Sequence, residues 1–293
     1  MFGCDFSSRP GPRKPIVVAC GALQDDVVVL GRLASFATLE ALGHWLQSQP
    51  RWLGGFDFPF GLPRELVLAL GWPAEWLACM RHYGTLSRAE IRHRFAAYCD
   101  SREPGHKFAH RATDRWAGSS PSMKWVNPPV AYMLHAGVPL LIAAQAQLPG
   151  MYDGAGRVCA AVRGNGRVAL EAYPGLLARE VLGHASYKSD ERARQNEERR
   201  QQRIRLVEAL THGATRLALR LQLSAAQRTC LVEDARGDQL DAVLCLLQAA
   251  WGQRCGAPGF GLPLPIDPLE GWIVTALPES SPAQTSIADT APR

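Results

Sequence analysis

The order of short apolar runs at the start of this chain constrains its fold more than any other feature. Phe2 to Phe6 is a strand candidate, and Ser7 to Lys14, rich in Ser, Arg, Pro and Gly, reads as a tight loop. The β-rich runs Ile16-Val17-Val18-Ala19-Cys20 and Val27-Val28-Val29-Leu30 flank Gln24-Asp25-Asp26, which reads as the turn of a hairpin. Thr38 to Gln47 predicts a helix, with Thr38 as N-cap and Leu39, Leu42 and Leu46 at helical spacing. Trp52 to Phe58 is the next strand. Three strands, a helix and a strand returning beside the first call for an α/β fold opening on a meander.

Residues 61–150 have a different character, rich in Trp, His, Arg and Pro, with helical patches at Arg64–Leu70, Ser87–Tyr98 and Pro129–Ala136. They read as a large, mostly helical insertion carried on the sheet. Arg167 to Tyr173 forms a last strand closed by Pro174, followed by a short helix over Pro174–Leu182. A long charged helix is expected over Asp190–Leu210, then helices over Ser224–Cys230 and Gly237–Trp251. Residues 1–277 are read as one domain and 278–293, rich in Pro, Ser, Thr and Ala, as a disordered tail.

A chain of 293 residues, 47% hydrophobic and 20% charged, can bury an ordinary globular core. No apolar run approaches the ~20 residues that span a bilayer. The opening Met1-Phe2-Gly3-Cys4-Asp5 has no basic region followed by an apolar one, so no secretory signal is expected. The eight cysteines are scattered, with no C-x-x-C pair, against a zinc cage or disulfide scaffold and in favour of reduced thiols in the cytoplasm. A net charge of +5 permits nucleic acid as a partner without demanding it.

Acidic residues sit at the edges of several apolar elements: Asp5, Asp57, Glu171, and the pair Asp238 and Asp241, three apart and so on one helical face. The helix turns apolar after Asp241, so Asp241 is expected to face the sheet. Carboxylates in apolar settings are costly unless paired or bound to metal, and several together repel. A hard divalent cation, Mg²⁺ or Mn²⁺, resolves that conflict, and two such ions about 4 Å apart can clamp an in-line phosphoryl displacement. The structural alternatives are that Asp57 shapes a turn and that Asp238 caps its helix.

Gly3-x-Asp5-Phe6-Ser7, Asp57-Phe58-Pro59-Phe60-Gly61-Leu62-Pro63, Glu171-Ala172-Tyr173-Pro174-Gly175, Tyr187-Lys188-Ser189-Asp190, Asp238-x-x-Asp241-Ala242 and Glu270-Gly271-Trp272-Ile273 occur in that order. This ordered set, spread over about residues 1–275, resembles the DUF429 family, whose members are described as predicted nucleases of the ribonuclease H-like class. The resemblance implies a ribonuclease H-like mixed sheet flanked by helices and a Mg²⁺-dependent hydrolase. Asp5 would be the central metal-bridging carboxylate, Asp57 its neighbour on the next strand, with Glu171 and Asp241 completing the catalytic cluster and Asp238 nearby as a further ligand.

Arg111, Lys124 and Lys188 could hold a phosphate or carboxylate of the substrate, or Arg111 and Asp114 could simply pair on the surface. His106 and His110, four apart, could bind a metal if their segment were helical, but no glutamate follows His106 as a zinc protease motif requires. The arginines of the charged helix (Arg192, Arg194, Arg199, Arg200, Arg203 and Arg205) alternate with glutamates, which reads as a solvated face or, more sharply, as a stripe for nucleic acid. Two other readings remain open. One is a nucleotide-phosphate-binding kinase or ATPase of the actin-like class, which the short, proline-bearing loop after the first strand disfavours. The other is a non-catalytic binding module whose acids are structural.

Overall fold

The computed structural model describes residues 1–155 and 166–277. The expected tail, 278–293, lies outside the described residues. A six-stranded mixed sheet is built from β1 (Phe2–Asp5), β2 (Ile16–Gln24), β3 (Val27–Phe36), β4 (Trp52–Phe56), β5 (Arg167–Glu171) and β6 (Arg220–Gln222). Its order is β5-β4-β1-β2-β3-β6. β1, β2 and β3 form the antiparallel meander. β4 lies parallel to β1, β5 parallel to β4, and β6 parallel to β3.

The meander strands run further than their apolar cores suggest, because backbone pairing continues from Ile16↔Phe36 out to Gln24↔Val27, past the residues that lose burial. Between β3 and β4, α1 (Leu39–Ser48) starts where expected: the Thr38 hydroxyl accepts from Ala41 N at 3.1 Å. Among the described residues five helices lie between β4 and β5: α2 (Arg64–Ala69), α3 (Trp76–Thr85), α4 (Arg88–Asp100), α5 (Ala112–Ala117) and α6 (Val130–Ala143). After β5 come α7 (Pro174–Leu182), α8 (Glu197–His212), α9 (Ala225–Glu233) and α10 (Asp238–Cys255).

Strand alternation divides the core in two. Phe2, Cys4, Phe6, Ile16 and Val18 join α1 and the β4–β5 helices on one face. Val17, Ala19, Val28 and Leu30 join α7 to α10 on the other. On that second face α10 is the central element. Most of its length is buried and apolar on every side, as a helix enclosed by protein must be.

Two sequence expectations are corrected here. The charged helix begins at Glu197, not Asp190, because Asn196 caps it by accepting from Arg199 N at 3.1 Å. Ahead of it is only a short 3₁₀ turn over Arg192–Arg194. Asp238 is not a cap: the residue before it, Gly237, takes a left-handed φ of 76°, and it is Asp234 that reaches the helix start, accepting from Gln239 N at 2.9 Å.

Candidate functional site

Two glycines set the position of the acids. Gly3 on β1 and Gly55 on β4 are partners in the parallel register. Two residues further along each chain, and so on the same face, come Asp5 and Asp57. A Cβ on Gly3 would collide with the backbone of Leu246 and Ala242, and one on Gly55 would fall 2.5 Å from Cys245 O. Without those two Cβ atoms, α10 lies directly on the backbone of β1 and β4. Asp241, one turn before Cys245, is thereby brought against Asp5 and Asp57 at the ends of both strands. One carboxylate oxygen from each of the three lies within 4.8 Å of the others. Among the described residues no other group of three His, Cys, Asp or Glu converges in this way, and His106 and His110 belong to no such group.

The three acids are not equivalent. Asp241 is fully buried, and both of its oxygens are engaged: Oδ1 accepts from the Tyr187 hydroxyl and Oδ2 from the Lys188 ammonium. Asp5 and Asp57, by contrast, receive no protein hydrogen bond at their carboxylates among the described residues. They face a cavity of about 570 Å³ whose wall includes Lys14, Arg236, Asp238 and Asn127 to Val130. Among the described residues no side-chain hydrogen bond ties Asp57 to a turn.

Electrostatics follow from this arrangement. Burial first, and then the repulsion of Asp241, pushes Asp57 up to about 7. The same two causes drive Asp5 well above the usual carboxylate range. Asp238 is raised to about 6, by burial and by Asp234. The Lys188 side chain is 42% exposed, but desolvation of its ammonium against the acids is outweighed by Asp241, Tyr187 and Asp5, which hold it well above the ordinary value. The thiols of Cys4 and Cys245 lie beneath the acids, where burial keeps them protonated. The donor set suits a hard divalent cation: oxygen ligands only, two of them without protein partners, in a place where like charges otherwise conflict.

Glu171 has a different role. It pairs with Arg111, Nη2 to Oε1 at 2.6 Å and Nη1 to Oε2 at 2.8 Å, and accepts from Phe60 N at 2.9 Å. Arg111 also bonds Asp114, Nη2 to Oδ1 at 2.8 Å, and donates to Glu270 O at 2.9 Å. Arg111 is only 1% exposed, so the pairing with Asp114 is not on the surface as the sequence alternative had it. Every nitrogen of its guanidinium is taken by a protein acceptor. In this structure Arg111 fixes Glu171 and the chain leading from β4, beside the triad and not within it.

Asp238 lines the cavity without joining the triad. Lys124 is not among the cavity-lining residues, and its backbone is held by Pro121 O and Ala131 N. Lys188 is at the centre. What sequence reasoning missed was the repeated Gly-x-Asp, Gly3-Cys4-Asp5 and Gly55-Phe56-Asp57, which carries both the acid and the space for the helix that brings the third acid.

The mixed α/β architecture and the carboxylate triad describe the chain on its own terms; comparison with known families adds one match. The chain matches the model of DUF429, described as a protein of unknown function, over residues 3–259, and it belongs to that family. No curated protein and no solved structure matches it. Among the described residues no helix is long and apolar enough to cross a membrane.

Proposed function

We propose that this protein is a divalent-metal-dependent phosphodiesterase, a nuclease of the ribonuclease H-like class. The observation that carries this reading is the pair Asp5 and Asp57, at the ends of two parallel strands next to Asp241, open to a cavity and without protein donors among the described residues. A meander whose fourth strand returns beside the first is what the ribonuclease H resemblance implies, and it supports the same reading.

Asp5 and Asp57 would hold the ion, Mg²⁺ or Mn²⁺, with Asp241 behind them. A metal held there supplies a water of lowered pKa and a Lewis acid for a phosphate oxygen. The chain's own groups do the rest. Lys188 balances Asp241. Arg236, bonded to Arg13 O, lines the cavity and offers positive charge to an anionic phosphodiester, while the charge of Lys14 is shared with its ion-pair partner Asp190. Asn127 to Val130 supply part of the wall against which the substrate would lie. We place the reaction in the cytoplasm, where the buried free thiols Cys4, Cys79, Cys99 and Cys245 stay reduced.

The test is a titration of Mn²⁺ and Mg²⁺ into the wild type and the Asp5→Asn/Asp57→Asn variant, following heat and melting temperature. Cleavage of single-stranded DNA, RNA and a simple phosphodiester is then assayed. Metal-dependent stabilisation and cleavage in the wild type alone support the reading. A wild type that neither binds the ions nor cleaves in their presence sinks it.

A further inference from the structure

Lys188 is not an ordinary surface lysine that happens to reach an acid. Its backbone is pinned on both sides. Buried Arg203 donates Nη1 to Tyr187 O at 2.8 Å and Nε to Val232 O at 2.6 Å. On the other side Ser189 N donates to Ala235 O at 3.1 Å. Gly237, φ 76°, makes room for the side chain: a Cβ there would sit 2.9 Å from Lys188 Cβ and 3.1 Å from Cδ. The ammonium then lies on Asp241 Oδ2 while Tyr187 holds Oδ1, so Asp241 has no oxygen left unengaged. Asp5 and Asp57 keep theirs.

We propose that Lys188 is a resident cation of the carboxylate centre, its ammonium standing where a second divalent ion would otherwise bind, so that the site takes one metal ion and not two. The proposal rests on the metal-centre reading given above. The charge count supports it. Three clustered carboxylates carry −3, and one divalent ion with one ammonium balances that sum, whereas two divalent ions with the ammonium exceed it. The division of labour is visible in the side chains: the pair without donors, Asp5 and Asp57, is left for the ion, and the acid with donors is left for the lysine.

The experiment compares wild type, Lys188→Met and Lys188→Arg, each as the full chain at pH 7.5, by Mn²⁺ calorimetry and by melting in chelator. The wild type is expected to bind one Mn²⁺. Lys188→Met is expected to bind the first about tenfold more tightly and to accept a second. Without metal it should melt about 4 °C lower, because Asp241 loses its counter-charge, and Lys188→Arg should restore the melt. Two Mn²⁺ in the wild type, or one of unchanged affinity in Lys188→Met, overturns the proposal. If no variant binds Mn²⁺, the metal reading falls and the ion count with it. In that case the chelator melt still decides the ammonium's role: a drop restored by arginine retains Lys188 as the cluster's built-in cation, and an unchanged melt overturns that too.

Discussion

Arg111 and Glu171, on elements 60 residues apart, meet as a two-pronged ion pair at 2.6 and 2.8 Å with almost no solvent between them and the core. A buried pair of this kind contributes little relative to an apolar substitute, but breaking one side strands the other. Arg111→Met leaves both Glu171 and Asp114 without their charged partner, with only neutral donors remaining. It should cost about 3–5 kcal/mol in denaturant unfolding. The double variant Arg111→Met/Glu171→Gln should recover part of that loss. A single-variant cost below about 1 kcal/mol would show that the pair is relaxed by water in solution.

Asp57 gives the metal-free protein a pH dependence of definite sign. Its carboxyl is raised from 3.8 to about 7, so between those values the folded state holds a proton that the unfolded chain has released. Stability from this group is therefore lost as pH rises through that window. Asp238, raised to about 6, acts in the same direction over the lower part of it. Asp57→Asn should gain stability relative to wild type on going from pH 5 to pH 8 in chelator. Parallel curves for the two proteins would remove Asp57 from the account. Metal affinity should also weaken below about pH 7, where the proton competes for the same oxygens.

Gly3→Ala tests the seating of α10. The added methyl meets helix backbone, which cannot rotate away as a side chain can. A loss of about 3 kcal/mol or more is expected, together with loss of Mn²⁺ binding, since Asp241 moves with the helix. Gly11→Ala, where a Cβ meets nothing within 4 Å, is the control.

Arg203 separates two readings of the arginine-rich helix. Buried and bonded to Val232 O and Tyr187 O, it should cost about 3 kcal/mol when changed to Met. The exposed Arg200, paired with Glu233 at 2.6 Å, should cost under about 1 kcal/mol. Equal, small costs for both, with weakened binding of single-stranded nucleic acid, would favour the basic-stripe reading instead.

Local signals in the sequence were legible where the physics is local. The Thr38 cap, the hairpin runs and the apolar face after Asp241 each state their structure within a few residues. Asp5, Asp57 and Asp241 could be singled out because an acid beside an apolar run is conspicuous. What depends on distant partners was not legible. Nothing near Arg111 announces Glu171, and nothing near Arg203 announces Tyr187. The helix over Trp76–Thr85 and the three-residue strand Arg220–Gln222 also escaped, the second because a strand so short has no period to read.

The glycine contacts beneath α10 have a consequence for selectivity. When side chains separate a helix from a sheet, their rotamers can take up a change of a few tenths of an ångström. Here main chain rests on main chain, so the spacing between the strand acids and the helix acid is set by van der Waals contact. Were that centre to hold a metal as proposed, such stiffness would select by ionic radius, favouring a small ion with strict geometry over the larger, more adaptable calcium ion.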